Sequence, residues 1–184
     1  MNHSLRISSP PERDWYSDDT KKALVPLVKE ITKHNDNVKT HEELRSKAES
    51  EDIENLTSKD LFDGQVSAAY RFDLYKKAIE LCDKVKEFND LHVADHRARH
   101  QEIVEERTGW SARIREELTK LGYVEEALHR EHVHQVNNFY RMHPEVVKLN
   151  HLEGQFRHPD YLKGGDRSEL VAGMANLRKR CLLA

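Results

Sequence analysis

The clearest pattern along the chain is an apolar stripe that begins near Val66. Its positions alternate between steps of four and three residues: Leu74, Ala78, Leu81, Val85 and Phe88. Because an α-helix turns once every 3.6 residues, this spacing places all five side chains on one face. No breaker interrupts the pattern before Gly109, so it predicts one long central helix. The alternation is coiled-coil-like, but only about two heptads are apolar, which favours packing within the chain and allows at most a weak dimer.

A second apolar stripe follows Gly109 and ends at a turn. Its members are Trp110, Ile114, Leu118 and Leu121. Gly122 suits the left-handed residue that closes a helix. A further helix is expected over about 123–142, stopping before Pro144 because the residue before a proline is pushed out of helical geometry. The pattern therefore predicts a helical hairpin that turns at Gly122.

Shorter helices are expected on both sides of this central region. The first begins near Ser17 or Thr20, and "HNDN" at 34–37 is predicted to end it. "THEE" at 40–43 matches a capping box, so a second short helix is expected to start there. After the hairpin we expect at most one short helix, and then a final helix capped by Asp166 or Ser168. Gly164 and Gly165, just before it, are interpreted as turn residues rather than as an anion site.

Composition changes this picture only by limiting the core. Apolar residues make up 37% of the 184 residues and charged residues 34%, which favours long amphipathic helices over a thick interior. Seven glycines and five prolines are too few for a many-stranded sheet. The fold class is thus predicted as all-α, an elongated bundle of about five to six helices around the central one. Its expected parts are a flexible leader (1–17) and one all-helical domain (18–184), the latter divided into short helices (18–64), the long helix with its hairpin (65–143) and a loop with a C-terminal helix (144–184).

Charge and cysteine content exclude several partners and compartments. The net charge is −3, and basic residues are interleaved with acidic ones, so we expect no nucleic-acid partner. No run of 18 apolar residues and no signal-peptide pattern is present, so a secreted or membrane-spanning protein is not expected. Cys82 and Cys181 stand far apart without metal-ligand spacing, which favours reduced thiols. A cytoplasmic or nuclear protein is the resulting expectation.

Histidine spacing supplies the one hypothesis of a metal site. His92, His96 and His100 follow one another at steps of one helical turn. His92 and His96 could together coordinate a metal ion. A stable site needs further ligands, for which His129 and His132 are the candidates. Zinc or iron would be bound under this hypothesis. The alternative, which we prefer, is that these histidines are solvated or seam residues that bind no cofactor.

Residues 104–127, "VEERTGWSARIREELTKLGYVEEA", carry a resemblance to known proteins. They are similar to a helix, Leu-Gly-Tyr or Leu-Gly-Trp turn and helix stretch in uncharacterised fungal helical proteins, some of them described as F-box-type. The positions that carry it are Glu106, Arg107, Ile114, Leu118, Leu121, Gly122, Tyr123 and Glu126. The resemblance covers about an eighth of the chain. It implies a substrate-adaptor or interaction role and no catalytic residues.

These observations lead to two functional hypotheses. No phosphate-binding glycine loop, nucleophile elbow or zinc-protease motif is present, so no catalytic residue is predicted. The first hypothesis is a non-enzymatic helical module or adaptor that binds a protein partner in a groove between helices. The alternative is a histidine-rich metal-binding bundle, up to a metalloenzyme, that uses His92, His96, His129 and His132.

Overall fold

The computed structural model describes residues 5–50, 67–120, 122 and 141–181. In these residues the chain forms four α-helices and no strand. They are α1 (Asp18–Glu49), α2 (Ala68–Lys120), α3 (Pro144–Phe156) and α4 (Arg167–Cys181). The all-α prediction is confirmed. Five to six helices were expected, and the described ranges contain four, partly because α1 replaces two predicted elements.

Helix α1 is one continuous element of 32 residues. It begins where predicted, with Ser17 as its N-cap. It does not end at 34–37, because His34 and Val38 continue the buried face, at 2% and 0% exposed. The Thr40 hydroxyl does not start a new helix either, since it donates to the backbone carbonyl four residues earlier. The predicted break at 34–37 and the predicted helix start at Thr40 are therefore both wrong.

Helix α2 carries the predicted central stripe. Its five apolar positions from Leu74 to Phe88 are at most 4% exposed. Gly109 does not end the helix, which runs on to Lys120. Gly122 then takes a left-handed conformation, with φ at 87°, and its N–H donates to the carbonyl of Thr119 over 3.0 Å. The terminating glycine is confirmed, whereas the second helix of the predicted hairpin falls on 123–140, outside the described residues.

The chain packs as two compact units, residues 1–92 with 161–184 and residues 93–160. The first unit holds the main apolar cluster, to which α1, the first part of α2 and α4 contribute. In the second unit the buried apolar residues come from α2 and α3: Val93, Ile103, Ile114, Leu118, Val146 and Leu149. Helix α2 runs through both units. The single domain expected over 18–184 remains a prediction.

The segment predicted as a flexible leader is packed in the first unit where the structure describes it, from residue 5 onward. Leu5 and Ile7 are 3% and 2% exposed, while Arg6 and Ser8 between and after them are exposed. This alternation has the period of two that extended chain produces when one face is buried. The segment therefore contributes apolar side chains to the core instead of extending into solvent.

Candidate interaction groove

A groove lies between α1 and α2 within the first unit, with a cavity volume of about 360 Å³. Its lining residues are Ala23, Pro26, Leu27, Glu30, Lys84, Glu87, Phe88 and Leu91. Four come from each helix, and on each they stand at positions i, i+3, i+4 and i+7. Since an α-helix rises 1.5 Å per residue, the groove runs along about 10 Å, or two helical turns.

The floor of the groove is apolar and partly open to solvent. Leu27 and Phe88 form its buried base, whereas Leu91 is 41% exposed. Pro26, on the α1 wall of the groove, is exposed as well. Exposed apolar side chains beside an apolar groove are a feature of docking sites, because covering them removes that surface from water.

A network of four charged side chains lies across α1 and α2 at the Glu30 end of the groove. Glu30 accepts from Lys84 at 2.7 Å and from Lys77 at 3.0 Å. Glu80 accepts from the same two lysines, at 3.0 and 2.9 Å. These bonds hold the pKa of Glu30 below its ordinary value, mainly through Lys84, and the pKa of Glu80 below its ordinary value, mainly through Lys77. Both carboxylates thus stay ionised, and their charge is balanced by the two lysines.

His92 has a structural role in the first unit. It is 0% exposed, and its Nδ1 lies 2.7 Å from the hydroxyl of Tyr16. The rings of Trp15 and Tyr16 pack against it, with centroids 5.5 and 5.7 Å away. One ring nitrogen of His92 is therefore engaged in a hydrogen bond that fixes the start of α1 on α2.

His96, the second predicted metal ligand, belongs to the other unit. It is 4% exposed, and its ring centroid lies 5.0 Å from that of Phe156. Across the part of the chain that the structure describes, no group of three or more His, Cys, Asp or Glu side chains could hold a metal ion. His129 and His132 fall outside that part, so the four-histidine site remains a prediction.

A second cavity of the first unit, of about 540 Å³, lies beside α2 and the 162–167 loop. Gly164 and Gly165 line it, just before α4. The N-terminus of α4 is capped from within the chain, because the Asp166 carboxylate accepts from the amides of Ser168 and Glu169 at 3.0 and 3.1 Å. That carboxylate occupies the place an anion would take, which supports the turn interpretation of the two glycines.

Cys82 also lines this second cavity, as a protonated thiol. Burial raises its pKa, and the neighbouring Asp83 carboxylate raises it further. A nucleophilic cysteine needs the opposite, an environment that stabilises the thiolate. Neither Cys82 nor the exposed Cys181 is in a disulfide, which is the state that the sequence predicts.

Sequence reasoning missed most of the residues that form the groove. It placed Phe88 on the apolar face of the central helix but assigned no binding role to Pro26 or Leu91. A signal was present: Pro26 and Leu91 are apolar residues that lie off the buried stripes of their helices. Apolar side chains in such positions indicate a second apolar face.

Comparisons of the chain with known protein families, curated proteins and solved structures find no match. No described helix combines the length and apolar character needed to cross a membrane. Of the positions behind the resemblance over 104–127, Arg107 pairs with Glu153 of α3, and Ile114 and Leu118 are buried in the second unit.

Proposed function

We propose that this chain is a non-enzymatic helical interaction module and that its α1–α2 groove binds an amphipathic helix of a protein partner. One observation carries the proposal, the two-turn apolar groove whose lining includes the solvent-exposed apolar side chains of Pro26 and Leu91. The weak resemblance over 104–127 points to the same class, an adaptor or interaction protein. A cytoplasmic or nuclear location belongs to this proposal and fits the two free thiols.

The shape of the groove specifies the partner. A helix laid into it would present apolar side chains at positions i and i+3 or i+4, since two turns of floor accommodate that spacing. Polar residues would cover the opposite face of the bound helix. The Glu30–Lys84 end is internally neutralised, so the net attraction comes from burial of Pro26 and Leu91 rather than from charge.

A library of displayed amphipathic helices tests this proposal. Binders selected on the wild-type chain should carry the i, i+3 or i+4 apolar pattern. Leu91→Glu should weaken them by about tenfold or more in fluorescence anisotropy, because a carboxylate would be desolvated within the contact.

Val171→Glu is the matched control. Val171 is 37% exposed on α4, close to the 41% of Leu91, but it does not line the groove. It should leave the affinity unchanged. Equal losses in both variants, or selected binders without helical apolar spacing, would contradict the proposal.

A further inference from the structure

Two asparagines, one on α1 and one on α2, each bind a residue of extended chain through both the oxygen and the nitrogen of the side-chain amide. The backbone N–H of Ile7 donates to Asn35 Oδ1, and Asn35 Nδ2 donates to the carbonyl of Ile7, each over 2.9 Å. Asn89 pairs with Leu162 in the same way. Its Oδ1 accepts from the backbone N–H over 2.8 Å, and its Nδ2 donates to the carbonyl over 2.9 Å. This reciprocal pairing is the one that neighbouring antiparallel strands exchange. Each helix thus offers a side-chain substitute for a strand edge.

Residues 5–8, here called the N-terminal arm, are bound along their whole length. Besides the two bonds to Ile7, the ring N–H of His34 donates to the carbonyl of Leu5 at 2.9 Å. The N–H of Ser8 donates to the carbonyl of Gly164 at 2.6 Å. Arg6 adds an exposed ion pair with Glu42 on α1. The backbone of the arm is therefore recognised by polar groups while Leu5 and Ile7 are buried.

The surface that receives the arm, here called the arm groove, fits Ile7 closely. It is formed by His34, Asn35, Gly164 and Gly165. A Cβ at Gly165 would lie 3.1 Å from Ile7 Cδ1, so the absence of a side chain there makes room for the isoleucine. Combined with the backbone bonds, this makes the site selective for an extended apolar-x-apolar peptide.

The arm is joined to the rest of the chain by a short link that is mostly exposed. Residues 9–14 include Pro10 and Pro11, and all but Pro10 and Arg13 are exposed. Two prolines stiffen a link and keep it extended, and six residues span at most about 20 Å. Beyond the link, Tyr16 is fixed separately against His92. The start of α1 is therefore held on α2 by a bond that does not involve the arm.

We propose that the arm groove also accepts the N-terminal arm of a second copy of this chain, so that two copies exchange arms. The choice of occupant follows from the contacts themselves, because a second copy carries the same Leu5, Ile7 and Ser8 and would make the same bonds. Exchange then changes only which chain supplies the arm in each groove, and the extent of exchange is set by chain concentration.

Mixing two full-length variants tests arm exchange. Asn35→Leu damages the groove and keeps the arm intact, whereas Ile7→Asp damages the arm and keeps the groove intact. Each variant alone should be monomeric in analytical ultracentrifugation. An equimolar mixture should form a heterodimer of twice the chain mass, because the intact arm of one variant enters the intact groove of the other.

A control mixture pairs Ile7→Asp with a chain that carries both substitutions. It offers an intact groove but no intact arm, so it should stay monomeric. A test mixture with no more dimer than this control overturns the proposal. If the single variants are unfolded alone, circular dichroism replaces mass as the readout: mixing should restore helicity, and an unchanged spectrum overturns the proposal as well. The α1–α2 groove is unaltered in all variants, so its binding can fail or succeed independently.

Discussion

At the scale of single residues, Gly173 shows how a missing side chain sets the packing of α4. A Cβ built there would lie 2.7 Å from the hydroxyl oxygen of Tyr75 and 2.8 Å from its ring. Tyr75 is 4% exposed and belongs to the main apolar cluster, so its ring has little room to move. The sequence places Gly173 in a helix but cannot reveal this contact, because Tyr75 is nearly a hundred positions away.

Gly173→Ala should destabilise the fold by about 1–3 kcal/mol, because the methyl group overlaps a buried ring. Gly109→Ala is the control with the opposite expected sign. Gly109 lies inside α2 with nothing within 4 Å of a built Cβ, so alanine should stabilise by roughly 0.5–1 kcal/mol through helix propensity. Urea denaturation measures both changes. A shift of both variants in the same direction would refute the packing argument.

At the scale of elements, the stripe of α2 was predictable, whereas the continuity of α1 and the packing of the extended segments were not. The stripe of α2 and the left-handed Gly122 follow from helical periodicity and glycine conformation. The break at 34–37 was predicted because His, Asn and Asp usually favour turns. In the structure His34 and Asn35 instead donate and accept bonds with the arm. Which mid-helix asparagine binds distant backbone depends on tertiary contacts that a periodic pattern does not encode.

Asn89→Ala should detach the 162–165 segment from α2. The substitution removes the bond partners of both the N–H and the carbonyl of Leu162, at an expected cost of about 1–3 kcal/mol. Amide hydrogen exchange at Leu162 should accelerate accordingly.

Asn150→Ala provides the comparison for Asn89→Ala. Asn150 is exposed on α3, so its replacement should change stability by no more than about 0.5 kcal/mol. If Leu162 remains as protected in Asn89→Ala as in the wild type, the two bonds do not hold this segment.

At the scale of the whole molecule, composition and periodicity were enough for the all-α class but not for the burial of Leu5 and Ile7. The leader was predicted to be flexible because Ser, Pro and charge dominate it. Its two apolar residues, Leu5 and Ile7, are nevertheless buried, in a site made by α1 and the 162–165 loop. The groove between α1 and α2 was equally hidden, since it depends on how two helices lie beside each other.

Stability should fall with acid through His34. Burial lowers its pKa from the ordinary 6.5, an effect that nearby Lys77 reinforces and the bond to Leu5 partly opposes. A histidine with a depressed folded pKa takes up its proton more readily when unfolded. The contribution of neutral His34 to the free energy of unfolding is therefore complete above about pH 6.5 and is lost as the pH falls towards the folded pKa.

Urea unfolding of wild type and His34→Gln at several pH values measures this contribution. Below pH 6.5 the wild type should lose stability more steeply than the variant, which has no imidazole to protonate. His158→Gln, which replaces an exposed histidine, should follow the wild-type curve. Parallel curves for wild type and His34→Gln would assign the acid sensitivity to other groups.

The paired hydrogen bonds of the two asparagines have a consequence for the chemical stability of the protein during storage. Asn35 and Asn89 each need a nitrogen and an oxygen at the same time, and hydrolysis with loss of ammonia would replace the nitrogen by a second oxygen. The carbonyl once held there would then face negative charge. One slow chemical event at either position would release a stretch of backbone, so fresh and stored preparations of the same sequence would differ in behaviour.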